Sequence, residues 1–103
     1  MTLIKRPKSV GTARYCNSRG VCCAVGAIAY GSGLHTKTNL ATFGKCGDSH
    51  MESRLEMALE LPPGTLYNLR HAADFKHWND PDARIALLDE FVDTHDAIEW
   101  ETT

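Results

Sequence analysis

The sequence predicts a mainly helical fold: a small compact bundle of about four helices, with an irregular basic N-terminal arm and a long loop over 31–47. Two segments carry this prediction. Residues 20–29 are rich in Gly, Ala and Cys, which suits a helix that lets a neighbour approach closely. Residues 77–92 run from an aromatic side chain through a helix cap into an apolar helix. The 103 residues suffice for one domain with a modest core.

The N-terminal arm, residues 1–19, shows no helical period. Pro7, Gly11 and a high density of basic side chains predict an extended or partly disordered segment. The arm lacks the apolar run of a signal peptide, and the longest apolar stretch, 21–30, is shorter than the roughly 20 residues that a membrane span needs. We therefore expect a cytoplasmic protein with no membrane partner, whose cysteines are reduced.

The first predicted helix runs from about 21 to 30, and its small residues recur at the i, i+3 and i+4 spacing of one helical face. Gly26 in its interior costs about 1 kcal/mol relative to alanine. Close contact with another helix is the usual compensation, so we expect such a contact there. The glycines that follow end the helix, and we predict a long loop over 31–47 that holds a short strand at 40–43.

The middle of the chain carries signals for two more helices. The sequence Ser49-His-Met-Glu52 matches a capping box, in which Ser49 and Glu52 satisfy each other's backbone N–H groups. The periodicity predicts that Glu52 and Glu56 face solvent on the helix that follows. This helix ends at a proline pair, and Thr65 is the expected N-cap of the next helix.

The last predicted helix begins at Asp80, with Pro81 in its first turn, where the missing N–H of proline costs nothing. Trp78, just before this cap, is predicted to lie in the core. The helix turns leucine, isoleucine, phenylalanine and valine side chains toward the core. We therefore predict a single helical domain over 20–97, followed by an acidic tail over 98–103.

Two short motifs in this order resemble a known group of small helical domains. Cys-Ala-x-Gly-Ala at 23–27 precedes an amphipathic helix, and Trp-Asn-Asp at 78–80 precedes the closing helix. The combination resembles domains of unknown function that occur in actinobacteria and their phages. The resemblance covers about 20–92, and it implies a buried helix at the first motif, a helix start at the second and a phage origin. It implies no activity.

The net charge of −2 conceals a strong separation of charge. Residues 1–47 hold seven cations and no acid, whereas 74–103 hold nine acids and two cations. This separation can steer association with a partner, or the two halves can neutralise each other across the fold. We predict a non-enzymatic module that modulates or inhibits a host or defence protein in the cytoplasm of the host. The predicted binding residues are charged or aromatic: Arg14, Arg19, Lys37, Lys45, Glu99 and Trp100.

Three alternatives rest on other residue types. A nucleic-acid-binding regulator would follow phosphates with cations of the arm, namely Lys5, Arg6, Lys8, Arg14 and Arg19. A zinc-stabilised module would use thiolates and an imidazole, namely Cys16, Cys22, Cys46 and His50. Cys22, near a predicted helix N-terminus and near Arg19, also has the setting of an activated nucleophile, although a buried structural cysteine is the commoner case.

Overall fold

The computed structural model describes residues 1–101, and the mainly helical prediction is confirmed, with five α-helices instead of about four. Residues 102–103, the end of the predicted acidic tail, lie outside the described residues. The elements in chain order are β1 (Thr2–Ile4), α1 (Ala24–Gly31), α2 (Lys37–Phe43), α3 (Ser49–Leu59), α4 (Thr65–His71), a π-helical turn (Ala72–Lys76), α5 (Pro81–Thr94) and β2 (Ile98–Trp100).

Helix α1 is the centre of the fold, where it packs against β1, α2, α4 and α5. All its residues from Ala24 to Ala29 are buried, as expected for a helix that is apolar on every side. The helix begins three residues later than predicted. The reason is that Cys23 has an extended backbone and acts as N-cap, with its Sγ accepting a hydrogen bond from the N–H of Gly26.

The N-terminal segment differs from the predicted arm because it is part of the core. Ile4, Val10 and Tyr15 are at most 1% exposed. Strand β1 pairs in parallel with β2, so that Ile4 lies opposite Trp100. The chain therefore packs as one unit across the predicted boundaries at 19 and 97. The apolar residues scattered among the basic ones explain the difference, since each of them fills a place against the helices.

Helix α2 occupies the segment for which we predicted a loop and a short strand at 40–43. Thr36 caps the helix, and its Oγ1 accepts a hydrogen bond from the N–H of Asn39 at 3.0 Å. Leu40 is fully buried and fastens the helix to the core. The short polar side chains that suggested a loop therefore serve as a helix cap.

The predicted capping box at the start of α3 is wrong. Asp48 is the N-cap and accepts from the N–H of Met51 at 2.9 Å, which places Ser49 inside the helix. Glu52 and Glu56, which we expected in solvent, are buried. These carboxylates point inward because each has a hydrogen-bond partner there, and a buried charge needs one.

The two remaining helix starts use different caps. Asp80 caps α5 as predicted and accepts from the N–H of Ala83 at 3.0 Å. The N-cap of α4 is Gly64, which has no side chain, and not Thr65. Glu56 replaces the missing cap, because its Oε2 accepts from the N–H of Leu66 at 2.9 Å.

Trp78 is 65% exposed, so its predicted place in the core is wrong. The turn that holds it is fixed by buried Arg84, whose Nη1 donates to the carbonyl oxygens of His77 and Trp78 at 2.9 Å each. The Nε of Arg84 donates to the carbonyl of Val10 at 2.8 Å. The backbone of the turn is therefore secured without the indole ring. In residues 1–101, no helix combines the length and the apolar character needed to cross a bilayer.

Candidate functional site

A basic pocket of about 280 Å³ opens between the N-terminal segment, the turn at Gly20 and helices α1 and α2. Lys5, Lys8 and Lys37 line it, and the Nζ of Lys37 lies 4.9 Å from the ring centroid of Tyr30. No acid stands among the described residues of its wall. The three ammonium groups therefore favour an anionic group in this pocket.

Arg6 also lines the basic pocket, but its charge is engaged elsewhere. Its Nε and Nη2 donate to Oδ1 and Oδ2 of Asp89 on α5, at 2.9 and 2.8 Å. This fork geometry gives the stronger kind of ion pair, although both side chains are exposed by more than a third. The basic and the acidic halves of the chain thus neutralise each other at this point.

Asp89 is expected to titrate below its ordinary pKa of 3.8, because the hydrogen bonds from Arg6 stabilise its carboxylate. A lowered folded-state pKa means that this stabilisation is complete above the unfolded value and is lost as the pH falls through the folded value. NMR titration of the Asp89 carboxyl measures this pKa. The substitution Arg6→Ala should raise the pKa, and an unchanged midpoint would contradict the assignment.

The predicted binding residues do not form two opposite poles. Arg14 and Lys45 lie side by side as an antiparallel bridge, and Arg19 is exposed in a separate turn. Lys37 belongs to the basic pocket. Glu99 is exposed on β2, and Trp100 is half-buried opposite Ile4, the residue before Lys5. The acidic strand therefore lies beside the basic segment.

A second surface, which the sequence analysis missed, is a row of three aromatic rings. The ring centroids of Tyr67 and His71 are 5.9 Å apart, and those of His71 and Phe75 are 4.8 Å apart. Tyr67 is 53% exposed and Phe75 is 66% exposed. We call these three residues the aromatic ladder. Their i, i+4 spacing, opposite the buried Leu66 and Leu69, was the available signal.

The aromatic ladder is joined to the core by Arg70. The guanidinium carbon of Arg70 lies 5.1 Å from the ring centroid of Tyr67. The Nε of the same side chain donates to Oε2 of buried Glu52 at 3.0 Å. Glu52 also accepts from the hydroxyl of Tyr15 at 2.7 Å, and burial raises the pKa of that phenol. The aromatic ladder is therefore connected through Arg70 to a buried network of hydrogen bonds.

A second pocket of about 280 Å³ adjoins the ladder at Phe75 and is lined by Lys45, Cys46, Arg70 and Asp74. Asp74 lies in the π-helical turn, and its Oδ1 is buried without a hydrogen-bond partner among the described residues. Burial raises the pKa of this carboxyl. Single π-helical turns often occur at functional sites, because they reorient side chains within a helix.

We expected all the cysteines to be reduced, and this prediction is wrong, because Cys16 and Cys22 form a disulfide. Cys22 therefore has no free thiol, and its predicted role as a nucleophile is wrong for this state. The predicted zinc ligands are not assembled either, because two of them share this bond and Cys46 contacts Cys23 instead of exposed His50. Within residues 1–101, no three His, Cys, Asp or Glu side chains group as a metal ion would require.

Comparison with protein-family models, with curated proteins and with solved structures finds no match to this chain.

Proposed function

We propose that this protein is a non-enzymatic module that binds another protein at the aromatic ladder. The observation that carries this proposal is the exposure of Tyr67 and Phe75, each more than half open to solvent in a row of neighbouring rings. Aromatic side chains that stand in solvent lose the favourable burial they would gain in a core. A few residues carry most of the binding energy at protein interfaces, and aromatic side chains are enriched at such surfaces.

The surroundings of the ladder define the kind of partner. Lys76 lies on the same helical segment and is exposed, and exposed Lys45 lines the adjoining pocket, whereas the charge of Arg70 is already paired with Glu52. These cations suit a partner with an apolar anchor for the rings and acidic side chains around it. Charge at the rim would raise the association rate, while the rings would set the lifetime of the complex.

For the identity of the partner, we propose a host or defence protein that the module modulates or inhibits. Support comes from the resemblance of the motifs at 23–27 and 78–80 to domains of actinobacteria and their phages. The cytoplasm of the host stays a prediction, and the Cys16–Cys22 disulfide counts against it, because disulfides are rare in that compartment.

A second candidate function is binding of nucleic acid at the basic pocket. The observation that favours it is the convergence of Lys5, Lys8 and Lys37 on one concave site with no acid among its described wall residues. Lys5 and Lys8 belong to the set predicted for this role, whereas Arg6 is engaged by Asp89. Phosphate contacts of this kind would make binding strongly dependent on salt.

The experiment that tests the proposed function is capture of partners from host lysate with and without nuclease treatment, followed by measurement of Kd for a protein recovered from both. We expect Phe75→Ser to weaken that complex by at least about tenfold, as loss of a hot-spot residue does. Leu3→Ser is the matched control, because Leu3 is 55% exposed and lies outside the ladder. It should leave Kd unchanged.

Two outcomes would contradict the ladder as the binding site. If the Phe75→Ser variant bound the partner as tightly as the wild type, the aromatic ladder would not be the binding site. Recovery of nucleic acid alone, lost at raised salt and after Lys5→Glu with Lys37→Glu, would establish the second candidate in its place.

A further inference from the structure

Two cysteines outside the disulfide meet in the core. The Sγ atoms of Cys23 and Cys46 lie 2.8 Å apart, although 23 positions separate them in the chain. A disulfide needs about 2.0 Å between its sulfur atoms. The remaining gap is small enough to be closed by rotation of the two side chains.

The backbone holds both cysteines against the same short segment. The N–H of Cys46 donates to the carbonyl of Ala13 at 2.8 Å. The N–H of Cys23 is shared between the carbonyls of Arg14 and Tyr15, at 3.2 and 3.1 Å. One stretch of three residues therefore positions both thiols and holds their sulfur atoms in contact.

The two thiols differ in access. Cys23 is 1% exposed and caps α1, whereas Cys46 is partly exposed and lines the pocket beside Arg70 and Asp74. A small reagent that enters this pocket meets Cys46 first. Cys23 lies behind it, with its Sγ in contact with that of Cys46, which is the arrangement of an attacking and a resolving thiol.

We propose that Cys23 and Cys46 form a second disulfide of this protein, by exchange with a small-molecule disulfide such as oxidised glutathione. The Sγ of Cys46 loses its proton, attacks one sulfur of glutathione disulfide, forms a mixed disulfide and releases one glutathione. The contact with Cys23 and burial raise the pKa of the Cys46 thiol, so this step should become faster as the pH rises. The Sγ of Cys23 then attacks the Sγ of Cys46 and releases the second glutathione. The protein loses two protons and two electrons, and the glutathione disulfide gains both.

The new bond would tie the start of α1 to the segment that leads into α3. Together with Cys16–Cys22, it would place all four cysteines of the chain in disulfides. Cross-links of this kind restrict the unfolded chain, so Tm should rise on oxidation. Two disulfides in a small domain would also favour an oxidising compartment over the predicted cytoplasm.

Peptide mapping tests the proposal on the full chain. Reduced protein is incubated with oxidised glutathione, alkylated after denaturation, and digested with trypsin without reductant. Cleavage after Arg and Lys separates the cysteines into peptides 15–19, 20–37 and 46–54. We expect one complex of all three peptides, free of alkylation. Peptide 46–54 recovered alkylated or as a lasting glutathione adduct, with only 15–19 and 20–37 joined, would overturn the proposal.

Two variants assign the pairing. In the double variant Cys16→Ser, Cys22→Ser, the link between 20–37 and 46–54 should persist. In Cys23→Ser, peptide 46–54 should retain glutathione, whereas a link through Cys22 would contradict the pairing. Fragmentation of the wild-type complex between Cys22 and Cys23 gives the same assignment, so the result does not depend on the folding of any variant.

Discussion

Gly26→Ala is expected to destabilise the protein by at least about 4 kcal/mol, which would leave little of the stability typical of a small domain. A Cβ at this position would overlap the carbonyl oxygen and carbon of Tyr15, and would stand 3.0 Å from the Cα of the same residue. These are backbone atoms, which cannot rotate away as the end of a side chain can. One of the two segments would have to move.

Two effects of the substitution oppose each other, and their sizes decide the sign. Alanine gains about 1 kcal/mol over glycine in a helix interior. Tyr15, however, is fully buried, and its carbonyl accepts a hydrogen bond from Cys23, the cap of the same helix. Displacing it would disturb both the cap and the core, so the overlap outweighs the gain.

Urea denaturation of the wild type and Gly26→Ala measures the change. Gly11→Ala is the matched control, since a Cβ there would meet only the Val21 side chain, at 3.2 Å, and the carbonyl of Cys22, at 3.9 Å. We expect the control to shift the free energy of unfolding by less than about 1 kcal/mol. A midpoint for Gly26→Ala equal to that of the wild type would refute the close contact.

The same glycine shows how far the sequence could predict the fold. A glycine inside a helix of small residues indicates a close approach, and the approach is present. The partner, which we expected to be a helix, is the backbone of Tyr15 in the N-terminal segment. Helical periodicity carries no information on an irregular segment, so a contact between such a segment and a helix had no signal in the pattern.

Local signals succeeded where the neighbouring backbone alone determines the structure. Asp80 caps α5 as predicted, because Asp followed by Pro is a complete helix start within two residues. The capping box at Ser49 failed because Asp48, one residue earlier, serves as cap while Glu52 is drawn to Tyr15 and Arg70. A long-range partner thus outweighed a local one.

The candidate surfaces were less predictable than the helices. Trp78 was predicted to lie in the core beside the helix cap, but the hydrogen bonds of buried Arg84 hold this turn without the indole ring. Lys37 and Lys5 were counted as separate charges, and only the packing of α2 against α1 brings them to one pocket. Which charges lie close together depends on the tertiary structure, and a count of charges along the sequence does not show it.

Glu52→Ala is the second substitution with a large expected effect, about 3–5 kcal/mol of lost stability. It would leave the buried hydroxyl of Tyr15 without its acceptor and the guanidinium of Arg70 without its counter-ion. The side chain of Arg70 is only 15% exposed, so water replaces the carboxylate poorly. The cost is the desolvation of two orphaned groups more than the loss of one attraction.

Three further variants separate this network from a general effect of truncation in α3. Arg54→Ala, exposed on the same helix, should change stability by less than about 0.5 kcal/mol. Glu52→Gln keeps an acceptor oxygen but removes the charge, so it should lose less stability than Glu52→Ala and more than Arg54→Ala. Arg70→Ala combined with Glu52→Ala should cost less than the sum of the single changes, because both remove one interaction. Strict additivity in this cycle would mean that the carboxylate and the guanidinium do not act as a pair.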